Sequence, residues 1–348
     1  MKNKKKPMNR RAFMQTTAVA AAGTALGGSS VFGAPSILKY YGQPESLVKG
    51  VQIGVITYSY RSMPDQGIEA VLKYVTDSGL HAIELMGDPA ETYAGKPDTP
   101  VDRRAFYGLL RKQREGEELS ADEQKSLKEM QDALAAYNKV VADWRSSVSP
   151  DKFRDIRKMY DDAGVRIYAF KPNAFGKDNT DAEINWGFNT AKILGASHVT
   201  LEHPGDDAHT KKLGEMAKAH GIYVAYHGHE QQTPTLWDTA LKQSPYNAMN
   251  LDLGHYVAAG NADPLGIIRQ KHDRIMSMHL KDRQTPAHGK GNLPWGQGDT
   301  PIVDALQLMK KNGYGFPASI ELEYEIPEGS DAVQEVRKCL AYCKEALG

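Results

Sequence analysis

Cysteine is nearly missing from this chain: Cys339 and Cys343 are the only two in 348 residues. No disulfide framework supports the fold, and stability has to come from a packed core. Four positions apart, the pair shares one face of the last helical segment, where two small buried hydrophobes are expected. No apolar run reaches the roughly 20 residues that cross a bilayer as a helix. An excess of charge of one sign is missing too, with 43 basic against 43 acidic side chains. The balance is uneven along the chain: residues 1–34 hold six basic side chains and no acid, leaving 37 basic against 43 acidic in the remainder. A mildly acidic body argues against nucleic-acid partners, because such binding draws on clustered Lys and Arg. A phosphate loop is absent as well. His288 to Asp299 carries four glycines but not the lysine-serine/threonine ending that such a loop needs, and it reads as a wall carrying Trp295. What is present, 41% hydrophobic and 25% charged residues, is the composition of a globular protein with a large core.

The basic opening leads into Asn9-Arg10-Arg11-Ala12-Phe13 and then a weakly apolar run, Thr16 to Gly28. That run is too short for a membrane span and long enough for the apolar part of a signal peptide. Residues 1–34 resemble a twin-arginine export signal. The resemblance places the protein in the periplasm, with no stable membrane span after export, and the route carries proteins already folded around a cofactor. Residues 35–50 read as a linker.

From residue 51 to the end, short β-branched or apolar runs alternate with helical patterns. The runs are Gln52–Thr57, His81–Leu85, Val165–Phe170, His198–Glu202, Ile222–Tyr226, Ala248–Asp252, Ile275–Leu280 and Ala318–Leu322. Helical periodicity fills Gly67–Ser78, Ala182–Leu194, Thr210–His220, Pro264–Lys271, Pro301–Lys311 and Ser330–Leu347, several of them closed by a glycine such as Gly195 or Gly221. Eight strands alternating with helices predict an α/β fold, a (β/α)8 TIM barrel over residues 51–348. The excess over a minimal barrel lies after strand two, where residues 88–150 form a polar insertion. Ser120-x-x-Glu123 is a capping-box pattern that opens a helix to about Arg145. An insertion leaving the carboxyl end of a strand is expected over the barrel mouth, as a lid or wall of the site or as a contact in a homo-oligomer.

Function in such a barrel concentrates at the carboxyl ends of the strands. In order these ends carry Tyr58 and Tyr60; Glu84; Lys171 and Asn173; Glu202 and His203; His227, His229 and Glu230; Asp252 and His255; His279, Lys281 and Asp282; Glu321, Glu323 and Glu325. Imidazoles and carboxylates crowded into one pocket stay unsatisfied unless a cation or a tight hydrogen-bond network holds them. The mixture suits a divalent ion, and the lack of thiolates disfavours a structural zinc site.

His227-Gly-His229-Glu230, Leu251-Asp-Leu-Gly-His255, His279-Leu-Lys-Asp282 and Ile320-Glu321, on successive strands, resemble the sugar isomerase and epimerase family with the xylose-isomerase-like barrel. The resemblance implies one divalent metal ion (Mn2+, Co2+, Zn2+ or Mg2+) held by Asp252, His279 and Glu321. At the strand-five position His227 stands where the family usually has Glu. His227, His229, Glu230 and Glu202 are all candidates for the fourth ligand, with His227 favoured. The resemblance further implies a small-molecule carbohydrate substrate; the candidate contacts at the strand ends and loops are Tyr58, Glu84, Lys171, His229, His255 and Trp295, with structural roles as the alternative, and the candidate acid–base groups are Glu321, Glu202, His227 and Lys281.

The chemistry expected of such a site is proton removal beside a carbonyl, giving an isomerase or epimerase of a free or glycosidic sugar. Departure of a group β to the carbanion would instead make a lyase or hydratase of 3-keto-glycosides. Export disfavours phosphorylated sugars, which are cytoplasmic. A non-catalytic carbohydrate-binding protein is the remaining alternative.

Overall fold

Strand-forming runs rich in Val, Ile, Ala and Met, hydrophobic enough to be buried on both faces, are the reason the central sheet is parallel and closed. The structure is a computed structural model and describes residues 46–348 apart from residue 115. The export-signal reading falls on residues 1–34, outside the described residues. The barrel strands are β1 (Val51–Ile56), β2 (Ala82–Met86), β3 (Arg166–Lys171), β4 (His198–Glu202), β5 (Tyr223–His227), β6 (Asn247–Asp252), β7 (Ile275–Leu280) and β8 (Ala318–Ile320). Each pairs in parallel with its sequence neighbour, and β8 closes onto β1 through Ala318↔Ile53. The eight-stranded parallel barrel anticipated from the sequence is therefore present, with strand ends within one or two residues of expectation.

Helices cover the outside of the barrel: α1 (Ile68–Asp77), α2 (Gly87–Tyr93), α3 (Arg103–Arg114), α4 (Ala121–Ser147), α5 (Asp151–Asp162), α6 (Asp181–Leu194), α7 (Asp207–His220), α8 (Asp238–Gln243), α9 (Leu253–Ala258), α10 (Pro264–Lys271), α11 (Ile302–Asn312) and α12 (Ala332–Leu347). Their apolar faces supply Phe153, Phe188, Leu213, Ile268, Leu306 and Val336, all buried against the strands. Each such side chain stabilises the fold by roughly 1.5–3 kcal/mol through removal from water. Cys339 and Cys343 are free and buried in that layer. No described helix is long and apolar enough to cross a membrane.

The inside of the barrel is unusually polar for a core that branched aliphatic residues commonly fill. His198 bonds Ser277 at 3.0 Å, and Asn250 bonds Ser277 at 2.7 Å. Tyr168 meets the Ser319 hydroxyl across the barrel, passing over Gly54, where a Cβ would lie 2.8 Å from the Tyr168 ring. Every polar group placed here costs free energy unless it is paired. The lower layers thus form a paired platform beneath the strand ends.

The insertion contains α2, α3 and α4. The capping box is formed: the Ser120 hydroxyl accepts from the Glu123 amide at 3.2 Å, and the Glu123 carboxylate accepts from the Ser120 amide at 2.9 Å. Arg145, near the end of α4, is buried. It donates to Glu183 at 2.8 Å and to the carbonyl of Asn173 at 3.0 Å, fastening the insertion to the β3–α6 loop. Among the described residues, none from 88–150 lines the cavity at the barrel mouth. The insertion instead borders an adjoining groove of about 740 Å³, which shares Asn173 and Gly176 with that cavity. The expected lid over the mouth is a side wall, because Arg145 draws the long helix towards β3 rather than across the opening.

Gly254 in the Leu251–His255 motif is required by close approach. A Cβ there would lie 2.4 Å from Lys281 Cγ and 2.8 Å from the Lys281 carbonyl oxygen. Gly254→Ala should cost about 1–3 kcal/mol by overpacking, read as a lowered urea midpoint with unchanged slope.

Candidate metal centre and substrate cavity

Four adjacent strands end in ligand-type side chains: His227 closes β5, Asp252 closes β6, His279 lies near the end of β7, and Glu321 follows β8. All four are buried, and their ligand atoms lie within 4.8 Å of one another. The parallel register causes this convergence, because Glu202 pairs with His227 and Asp252 with His279 at the same barrel height.

His227 Nδ1 lies 2.6 Å from Asn250 Oδ1, an acceptor, so that nitrogen carries the ring proton and Nε2 keeps its lone pair. Burial and the nearby Lys171 charge push the His227 pKa down to about 3, which keeps the imidazole neutral. Asp252 Oδ1 caps α9 by accepting from the His255 amide at 2.7 Å. Asp252 Oδ2 is buried without a hydrogen bond of good geometry, although Lys281 Nζ lies 3.0 Å away. Burial pushes the Asp252 carboxyl up to about 6. His279 sits between two acids, Nδ1 at 3.0 Å from Glu321 and Nε2 at 2.8 Å from Glu84. Burial disfavours its charged form, but Glu84 and Glu321 outweigh that and raise its pKa to about 10. The donor set fits a divalent ion once His279 gives up its Nδ1 proton: two imidazoles, two carboxylates, an Asp252 Oδ2 that accepts no hydrogen bond, and Asn250 and Glu84 as outer partners that orient the two rings.

Glu84 differs from its expected place among the substrate contacts. It is fully buried and does not line the cavity. It accepts from Thr200 at 2.6 Å and from Asn250 at 3.1 Å, and holds His279 Nε2. The strand pleat turns it into the barrel, below the ligand layer. Glu84→Gln should weaken metal affinity by about 10–100-fold, the usual cost of losing a partner that orients a ligand, measured by competition with a chelating dye.

The mouth cavity, about 460 Å³, is lined by His227 and Glu321 together with Tyr58, Lys171, Glu202, His229, His255, Lys281 and Glu323. Lys171 Nζ bonds Glu202 at 2.8 Å, and His229 Nε2 lies 3.0 Å from the other Glu202 oxygen. Despite its partial burial, Glu202 stays ionised, because His229 and Lys171 hold its pKa well below the usual carboxylate range. Lys281 is buried among Glu323 at 2.7 Å, Glu321 at 2.8 Å and Asp252. Tyr58 lies on a short 3-10 turn (Thr57–Tyr60) at the rim, with the Arg61 guanidinium 4.4 Å above its ring. Tyr60 is buried and bonds Ser78.

Trp295 does not reach the cavity. It packs edge-on against Tyr342 of α12 at 5.9 Å, because Asp282 accepts from the amides of Gly296 and Gly298 and folds that loop back along the barrel wall. His203, Glu230 and Glu325 also lie outside the cavity lining. The sequence reading did not single out Asn250, Thr200 or Arg283. Asn250 and Thr200 stand two residues before Asp252 and Glu202, so strand periodicity could have flagged them; nothing in the sequence marks Arg283.

A sequence model of the xylose isomerase-like TIM barrel family matches residues 131–343. No curated protein matches the sequence. Three solved structures are similar. A sugar phosphate isomerase/epimerase from Parabacteroides distasonis is 19% identical, with 83% of this chain and 92% of that chain covered at a TM-score of 0.51. The probable 3-DHS dehydratase AsbF of Bacillus anthracis is 14% identical, with 83% and 97% covered at 0.54. The IOLI protein with a bound zinc atom is 15% identical, with 84% and 98% covered at 0.51. At these identities the likeness shows the barrel that they share.

Proposed function

Because the chain belongs to the xylose isomerase-like TIM barrel family, we propose that it is a metal-dependent isomerase or epimerase of a small carbohydrate, taking a free or glycosidic sugar. The observation that carries this reading is the convergence of His227, Asp252, His279 and Glu321 within 4.8 Å at a cavity that His227 and Glu321 line and that is large enough for one sugar ring. A divalent ion held by these four side chains would polarise a carbonyl and steady the charge that grows on its oxygen.

The chain's own groups account for the proton traffic. Glu202, ionised on β4, takes the proton from the carbon beside the carbonyl. The C–H electron pair becomes a C=C bond and the carbonyl π pair moves to oxygen, where the ammonium groups of Lys171 and Lys281 donate. Strands β4 and β8 stand opposite each other in the eight-strand order, so Glu323, held by Lys281, addresses the other face of the substrate. Proton return to the same carbon from that face, drawn from the Lys281 ammonium through Glu323, is epimerisation; return by Glu202 to the former carbonyl carbon, with the adjacent hydroxyl passing its proton to the enediolate oxygen, is isomerisation. Neither needs an external oxidant or reductant. His227 and Glu321 serve as ligands here and not as bases, since Asn250 holds His227 Nδ1 and leaves a single lone pair.

Elimination from a 3-keto-glycoside is the second reading. It is favoured by the adjoining groove, which offers room for an aglycone. Incubating metal-loaded protein with free sugars and with 3-keto-glucosides in D2O, followed by NMR, tests both. Deuterium beside the carbonyl with inverted configuration or a moved carbonyl supports the first; release of the aglycone with a new enone supports the second. Absence of C–H exchange in every substrate would overturn both. We also place the reaction in the periplasm: a reporter fused behind residues 1–50 should be exported, and Arg10→Lys with Arg11→Lys should keep it in the cytoplasm.

A further inference from the structure

Three imidazoles, His227, His229 and His255, bring ligand atoms within 4.8 Å of one another at the cavity wall, beside the four-residue centre. The cluster looks like a second metal site, or like a store of bases. The surroundings of His255 argue against both.

Arg283 lies in the short strand Asp282–Arg283, which pairs with Asn292–Leu293, and it is buried. Its Nη1 stands 2.6 Å from His255 Nδ1. Its Nη2 donates to Glu230 at 2.8 Å and to the Lys290 carbonyl at 2.5 Å, while Nε donates to that carbonyl at 3.2 Å. Glu230 is in turn bridged to Lys290 Nζ at 3.0 Å. The guanidinium is therefore fixed on three sides. It carries five N–H donors and no acceptor. His255 Nδ1 must accept from it, and the single ring proton then resides on Nε2. The ring is clamped in orientation as well, stacked on His229 at 4.5 Å and 8°.

We infer that Arg283 is a positioning residue that fixes His255 as a neutral Nε2–H donor aimed into the cavity, for an oxygen of the sugar. A nitrogen without a lone pair neither removes a proton nor ligates a metal. His255 is thus a donor beside the centre that His227 joins, and the described residues offer one metal centre rather than two. What the donor meets rests on the carbohydrate reading above; the tautomer does not.

Long-range proton–nitrogen NMR on 15N-histidine-labelled protein, with and without one equivalent of Zn2+, reads the tautomer directly. The His255 signals are assigned by their disappearance in His255→Gln. The expected result is a protonated Nε2 and a bare Nδ1 in both states, with mixed tautomers in Arg283→Met. His255→Leu should retain one Zn2+ per chain, and its kcat should fall by about 10²–10³-fold, the loss typical of one oxyanion donor. His255→Gln keeps an N–H and should recover at least about tenfold of that. A proton on Nδ1, a shift of the Nε2 resonance on adding Zn2+, or loss of Zn2+ from His255→Leu would overturn the inference. Lack of activity on any sugar would sink the carbohydrate reading and leave the tautomer result standing.

Discussion

Asp252→Asn should abolish the proposed binding of a divalent ion while leaving the protein folded. The two oxygens of Asp252 do different work. Oδ1 accepts from the His255 amide and caps α9, and an asparagine carbonyl oxygen can do the same, so the cap, worth about 1 kcal/mol, survives. Oδ2 is the orphaned atom facing His227, His279 and Lys281. Replacing it with an amide nitrogen removes one of two anionic ligands and points donors at a cation. The loss of affinity should exceed the roughly 10–100-fold that a change in an outer partner costs, and turnover should fall with it. Metal analysis after desalting, alongside circular dichroism, checks both halves. Full metal retention would remove Asp252 from the ligand set.

Lys281→Met should show the opposite profile: a protein that needs its ion to stay folded. The ammonium is buried within 3.0 Å of three carboxylates, those of Asp252, Glu321 and Glu323. Taking one partner out of a buried ion pair typically costs about 3–5 kcal/mol, because the opposite charges are left uncompensated. For a chain of this size that is a drop in Tm of roughly ten degrees in the presence of a chelator. A divalent cation supplies the missing positive charge, so the variant should bind it more tightly than the parent does, and each tenfold difference in Kd closes the gap by about 1.4 kcal/mol at saturating ion. The melting curves of variant and parent should therefore draw together as Mn2+ is added. If the gap were the same with and without the ion, Lys281 would not be the counter-charge of this centre. The two variants together test whether the carboxylates are gathered for a cation.

Much of the barrel was legible because each strand could be recognised on its own. A run such as Ile275–Leu280 has four apolar residues in six and is buried throughout, as a strand covered on both faces must be, and the glycine after each of α6 and α7 marks where the helix stops. The insertion was harder. Its α3 has a short apolar centre, residues 105–110, between basic ends, too brief to show a helical period, so the capping box revealed α4 alone. Among the site residues, His227, Asp252, His279 and Glu321 could be named from their position at strand ends. Glu84 and Trp295 could not be placed. One is turned under the ligand layer by the pleat of β2, and the other is pulled outward by a loop whose amides bind Asp282.

The sequence alone determined the fold class, the order of the strands and the level at which acids and imidazoles gather, because periodicity and strand ends are local properties of the chain. The tertiary structure decided the roles. Whether a carboxylate meets a metal, a histidine or a lysine depends on which strands become neighbours when the barrel closes. Arg283 makes the point most plainly: its hold on His255 and Glu230 joins three separate segments of the chain, and no local pattern records it.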